Sequence, residues 1–111
     1  MAVDVRRRRA AVLKAMGHPS RLAILEAVAA GERCVGELRA VVGSDLSTVS
    51  RHLGVLKNAG IIADRKQGLQ VFYSLRVPCV LNFFGCVDAV LGVERDEAEP
   101  AATCCPPVRV R

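Results

Sequence analysis

The sequence has no uninterrupted apolar run of the roughly eighteen residues that a membrane-spanning helix requires, and its start, MAVDVRRRR, lacks the apolar core of a secretion signal. Both absences predict a cytoplasmic protein. There is no glycine-rich phosphate loop and no set of nucleophile, base and orienting group, which argues against an enzyme. No internal repeat is present. The five cysteines are odd in number and include no CxxC pair, which argues against both a secreted disulfide scaffold and a structural zinc site. What remains is a chain of 111 residues, enough for one small domain. Such a domain buries only about two thirds of its unfolded surface and gains a second core by dimerising. Sixteen Lys and Arg against eleven Asp and Glu give a formal charge of +5, which suits a polyanionic partner.

One stretch has two faces with different chemistry. In LSTVSRHLGVLKNAG, Leu46, Val49, Leu53 and Leu56 recur at helical spacing and form an apolar stripe. Ser47, Thr48, Ser50, Arg51 and Gly54 fall toward the other side, small or hydrogen-bonding and free of carboxylates. A helix that enters the major groove needs short polar side chains near its N-terminus and an Arg able to bond a guanine edge or a phosphate. His52 in the same helix is read with this polar set, as a polar contact or a packing residue rather than a metal ligand. Upstream, CVGELRAVV places Val35, Leu38 and Val42 on one face, and GSD joins it to the next helix as in a helix-turn-helix. Downstream, IIADRK and LQVFYSLR alternate like strands around the tip Lys66-Gln67-Gly68, which carries Arg65 and Lys66. Helix, turn, helix and basic hairpin in that order predict a mainly α fold with a β-hairpin wing, a winged helix-turn-helix.

The segments VSRHLGVLKNAGIIADRKQGLQVFYSL and GHPSRLAILEAV together resemble the ArsR/SmtB family of metalloregulatory repressors, from the first core helices through the recognition helix and wing. The resemblance implies a dimeric, DNA-binding transcriptional repressor acting on double-stranded operator DNA with an inverted repeat. It implies DNA contacts from Ser47, Thr48, Ser50, Arg51 and His52 on the reading helix and from Arg65 and Lys66 on the wing.

Val3 to Met16 reads as a basic first helix in which Val5, Val12, Leu13 and Met16 pack while Arg6 to Arg9 stay in water. Gly17-His18-Pro19 ends it, Ser20 is placed to cap the next helix, and His18 reads as a turn residue. Pro78 opens a last helix, to Val93, in which Val80, Leu81, Phe83, Phe84, Val87, Val90 and Leu91 leave almost no polar side. A helix apolar nearly all round must be buried, and the resemblance supplies the cover: the same helix and the first helix of a second subunit. Residues 1–93 are thus expected to form the DNA-binding and dimerisation domain. Residues 94–111, acidic and then ending CCPPVRVR, are expected to be a flexible tail.

The cysteines then need a chemical reason. Zinc-sensing members of the family place carboxylate and histidine ligands on the last helix, and this last helix has no histidine. A soft thiophilic ion needs thiolates alone, which points to trivalent arsenic as inducer, arsenite or methylarsenite, with antimonite a further candidate. The family's arsenic sensors commonly carry ELCVCDL where this chain has ERCVGEL. Cys34 matches the first cysteine, Gly36 replaces the second, and Arg39 stands where some members have a third, so that site cannot assemble as usual. The adjacent Cys104 and Cys105 are the expected ligands, with Cys86 as the third and Cys34 as its rival; Cys79 reads as a small buried hydrophobe. The alternative is a redox or persulfide-responsive repressor of the same fold, switching through a disulfide between Cys34 and Cys86.

Overall fold

The computed structural model describes residues 2–92. In chain order the elements are α1 (Ala2–Met16), α2 (Pro19–Ala29), β1 (Arg33–Cys34), α3 (Val35–Val42), α4 (Leu46–Asn58), β2 (Ile62–Gln67), β3 (Gln70–Leu75) and α5 (Val80–Leu91). The chain divides into two compact units, one of residues 1–76 and one that begins at Val77. The expected tail, 94–111, lies outside the described residues.

In the first unit the core is apolar and almost wholly helical. Ile24, Leu25 and Val28 of α2, Leu38 of α3, and Val49, Leu53 and Leu56 of α4 are buried, together with Ile61 and Ile62 at the entry to β2 and Ala15 and Met16 at the end of α1. The α4 stripe holds except at Leu46, which opens the helix and is 48 % exposed. Of the residues expected to pack from α1, Met16 is buried while Val5 and Leu13 face outward. Pro19, whose fixed φ suits the first helical position, begins α2, and the cap is therefore the residue before it. His18, not Ser20, is the N-cap of α2: its Nδ1 accepts the Ser20 backbone N–H at 3.1 Å.

The strands form an antiparallel sheet in the order β1-β3-β2. The hairpin register runs from Ile62 opposite Leu75 to Gln67 opposite Gln70, so Lys66 and Gln67 lie within β2 and the turn itself is Gly68-Leu69. Gly68 takes a positive φ of 66°, which a two-residue hairpin loop requires and glycine supplies without steric cost. The third strand, β1, is the part the sequence did not announce: Arg33 pairs with Tyr73 and Cys34 with Phe72.

The second unit contains α5, which starts after Cys79 and ends at Gly92 in the left-handed conformation. None of its residues is buried; Phe83 and Val87 are substantially exposed, and Val90 and Leu91 more so, at 77 % and 68 %. Val80, Leu81 and Phe84 are half-buried, so the apolar girth read from the sequence is covered only in part.

Candidate nucleic-acid interface and the cysteines

The turn between α3 and α4 is built on Gly43, whose φ of 78° is left-handed and whose N–H closes onto the Arg39 carbonyl at 2.8 Å. Two residues later Asp45 caps α4, its carbonyl accepting the Val49 N–H at 3.1 Å. Ser47 Oγ donates to Asp45 Oδ2 at 2.8 Å. The hydroxyls of Thr48 and then Ser47 hold the Asp45 carboxyl below the usual carboxylate range. The exposed first turn of α4 is thus organised around an anion. The sequence reading treated this face as free of carboxylates, which is true inside the helix but not at its cap; the pattern Asp-x-Ser ahead of a helical stripe was the available signal.

Beyond that turn, Ser50 and Arg51 are exposed, Thr48 is half-buried, and the opposite side of the helix is Val49, Leu53 and Leu56 in the core. His52 departs from the expected set. It is only 7 % exposed and turns away from the polar surface, its Nδ1 accepting from Arg21 Nε at 3.1 Å and its ring lying 4.6 Å from that of His18. Its enclosure fits the packing role that the sequence allowed beside the polar contact.

The hairpin is joined to the reading helix by Lys57 at the end of α4, whose Nζ lies 2.9 Å from Asp64 Oδ2 on β2. This contact raises the Lys57 pKa and lowers that of Asp64. The two wing cations differ. Lys66 is exposed, opposite Val71. Arg65 is already engaged: Nε and Nη2 fork onto the Glu32 carboxylate at 3.0 and 2.8 Å, Nη1 donates to Gln67 at 2.6 Å, and the guanidinium lies 5.1 Å from the centre of the Phe72 ring. The Arg65 hydrogen bond is the main reason the Glu32 pKa is lowered. Arg65, expected as a DNA contact on the wing, is paired with Glu32 in the single chain.

Cys34 is both the end of β1 and the N-cap of α3, half-buried, with its backbone N–H donating to Glu37 Oε1 at 3.0 Å. A Cβ placed on Gly36 would stand 3.9 Å from Cys34 Sγ. The position of the missing second cysteine thus lies beside Cys34 and carries no sulfur. Cys79 precedes α5 and is half-buried; Cys86, within α5, is exposed. Cys104 and Cys105 lie outside the described residues. Among the described residues no three His, Cys, Asp or Glu side chains are grouped to hold a metal ion. Among them, too, no helix is long and apolar enough to cross a membrane.

Residues 18–64, from the cap of α2 into β2, match the profile of the bacterial regulatory proteins of the arsR family. The chain is 37 % identical over 84 residues to an uncharacterized HTH-type transcriptional regulator, Rv0081, of Mycobacterium tuberculosis, covering 75 % of this chain and 74 % of that one. It is 44 % identical over 66 residues to a biofilm growth-associated repressor of Agrobacterium fabrum, covering 60 % and 56 %. Its fold is similar to the homodimeric winged helix-turn-helix DNA-binding domain of a possible ArsR-family regulator from Mycobacterium bovis, with a TM-score of 0.72, 31 % identity and coverage of 82 % and 84 %.

Proposed function

The chain belongs to the ArsR family of bacterial transcriptional regulators, and from that premise we propose that it is a homodimeric repressor that leaves its operator when trivalent arsenic, inorganic or methylated, binds its cysteine thiolates. The observation that carries the DNA-binding half is the partition of α4. Ser47, Ser50 and Arg51 stand exposed on one side while Val49, Leu53 and Leu56 anchor the other, and Lys57 fixes the hairpin beside it. A helix held by its back and short-chained at its front is the form that enters a major groove. Two such helices related by a two-fold axis read an inverted repeat, and the open apolar surface of α5 supports the pairing.

The inducer half rests on donor chemistry. Cys104 and Cys105 are adjacent, so one centre collects two sulfurs at little entropic cost, and trivalent arsenic takes two or three thiolates. Cys86 is an exposed thiol available as the third. Binding then favours a dimer geometry that mismatches the operator, and by reciprocity the operator weakens arsenic binding. The exposure of Cys86 also favours a second reading, in which an oxidant or persulfide couples it to Cys34.

Gel-shift with the promoter upstream of the protein's own reading frame tests both halves. The parent protein is expected to bind, and arsenite to release it. A Cys104→Ser, Cys105→Ser double variant is expected to bind and stay bound, because a serine hydroxyl is a poor ligand for a soft centre. Release of that double variant at the parental arsenite concentration would remove the tail pair from the site. Release by oxidant that is reversed by reductant, with no effect of arsenite, would establish the disulfide reading instead.

A further inference from the structure

Beneath the reading surface lies a polar cluster that the DNA-contact reading leaves unused. His52 belongs to α4 but is enclosed, and its Nδ1 accepts from Arg21 Nε at 3.1 Å. The same arginine donates from Nη1 to the Ala15 carbonyl at 3.2 Å, closing the last turn of α1. The His18 ring is tilted by 43° against that of His52, with centroids 4.6 Å apart, and His18 Nδ1 accepts the Ser20 N–H that starts α2. One cluster therefore ties the end of α1 and the start of α2 to the middle of α4. His52 takes part through an Nδ1 lone pair, which only its unprotonated ring has. A proton added at His52 Nδ1 sets one N–H donor against another.

We propose that Arg21, His18 and His52 are positioning residues that seat the reading helix, and that proton uptake by His52 unseats it, so that operator binding is lost in mild acid. The proposal rests on the reading of α4 as the DNA-reading helix; His52 touches no DNA in it and acts only through the orientation of α4. The charged and titratable groups that bear on His52 are His18 and Arg21 from the α2 side and Arg51 from its own helix, all of one sign when protonated. The other elements packed on α4 are α1, α3 and β2, and they add no compensating carboxylate: Asp64 of β2 is held by Lys57.

Burial first, and then His18, Arg21 and Arg51, holds the His52 imidazole below its ordinary range. The unseated or unfolded chain consequently takes up the proton before the seated one does. The seated state keeps its full advantage above the ordinary imidazole range and loses it as pH falls through that range toward the lowered value. The direction is diagnostic. Acidification ordinarily tightens association with DNA, because carboxylates lose charge while the arginines and lysines keep theirs. A fall in affinity runs against that background.

The test is fluorescence anisotropy with the duplex upstream of the protein's own reading frame, at fixed salt, from about pH 7.5 to about pH 5.5, which brackets an ordinary imidazole. Circular dichroism is recorded on the same samples. The parent is expected to weaken on acidification, by at most about tenfold per pH unit for one proton taken up. His52→Asn offers Arg21 an oxygen acceptor near the Nδ1 position but cannot titrate, and is expected to abolish the fall. His18→Asn keeps an acceptor at the cap of α2 and is expected to retain it. A parent whose affinity is flat or rises on acidification overturns the proposal, as does a parental fall in His52→Asn or its loss in His18→Asn. An NMR titration of the parent needs no variant: the amides of Leu46 to Asn58 should shift with the His52 ring, and a ring that titrates while those amides stay still overturns the proposal. A parent that fails to bind at about pH 7.5 defeats the repressor reading itself, which is a different outcome from binding that ignores pH.

Discussion

Asp45 and Arg51 put opposite charges on one exposed surface, and only the arginine lies beyond the turn that the Ser47 and Thr48 hydroxyls tie to the cap. Arg51 is the donor on α4 that matches the two acceptors of a guanine edge. Arg51→Ala is expected to cost about 1 to 3 kcal/mol on operator DNA and little on a scrambled duplex, whereas Lys66→Ala on the wing should weaken both alike. Competition titrations against both duplexes separate the two; equal losses for Arg51→Ala would make it a phosphate contact. A second residue-scale expectation concerns Gly36, whose φ is not in the left-handed region and whose added Cβ meets Cys34 Sγ at ordinary contact distance. In a Cys104→Ser, Cys105→Ser background, Gly36→Cys should create a dithiol that binds arsenite. Protection of two thiols from alkylation by arsenite is the measurement, and absence of protection would mean the two sulfurs do not converge. At this scale the sequence was a fair guide to residues that act alone and a poor one to residues that act in pairs. Ser50 and Arg51 face solvent as their helical positions required. The pairings of His52 and Arg65 were not legible, because their partners, Arg21 and Glu32, are 31 and 33 residues away along the chain, and nothing in local pattern announces them.

Among the elements, α4 was legible because the 3.6-residue period of Val49, Leu53 and Leu56 is strong over a long helix, and the hairpin because Gly68 interrupts two alternating runs. β1 was not: two residues cannot show a period, and the pairing of Cys34 with Phe72 depends on β3 arriving from almost forty positions downstream. The start of α2 was misplaced by two residues although Pro19 marked it, since a proline at the first helical position forces the cap onto the residue before. The α3–α4 turn carries a prediction of its own. Gly43 holds a left-handed conformation with open space around it, so Gly43→Ala should destabilise the first unit by about 1 to 2 kcal/mol through backbone strain alone. Urea denaturation checks this, and an unchanged midpoint would show that the turn relaxes to a right-handed form.

For the molecule as a whole, the open apolar side of α5 is the feature that a single chain leaves unsolved. Leu91→Glu, at a position 68 % exposed, should leave the fold of one chain intact and shift the protein from dimer to monomer in sedimentation velocity; an unchanged dimer would remove this end of α5 from the interface. Net charge is the other whole-molecule property, and here the Glu32–Arg65 fork has an implication for salt. A lysine or arginine that meets a phosphate displaces a cation condensed on the duplex, and the slope of log affinity against log salt counts such events at roughly 0.9 each. Arg65 brings its own anion with it. If it moves to a phosphate, Glu32 is left bare and recruits a cation from solution, and the exchange cancels in the count. The wing should therefore register fewer ions than its sequence charge suggests, and Glu32→Gln should steepen the measured slope by about one. A carboxylate 33 residues away thus decides whether an arginine on the hairpin is counted as part of the protein's sheet or as part of the duplex's ion atmosphere.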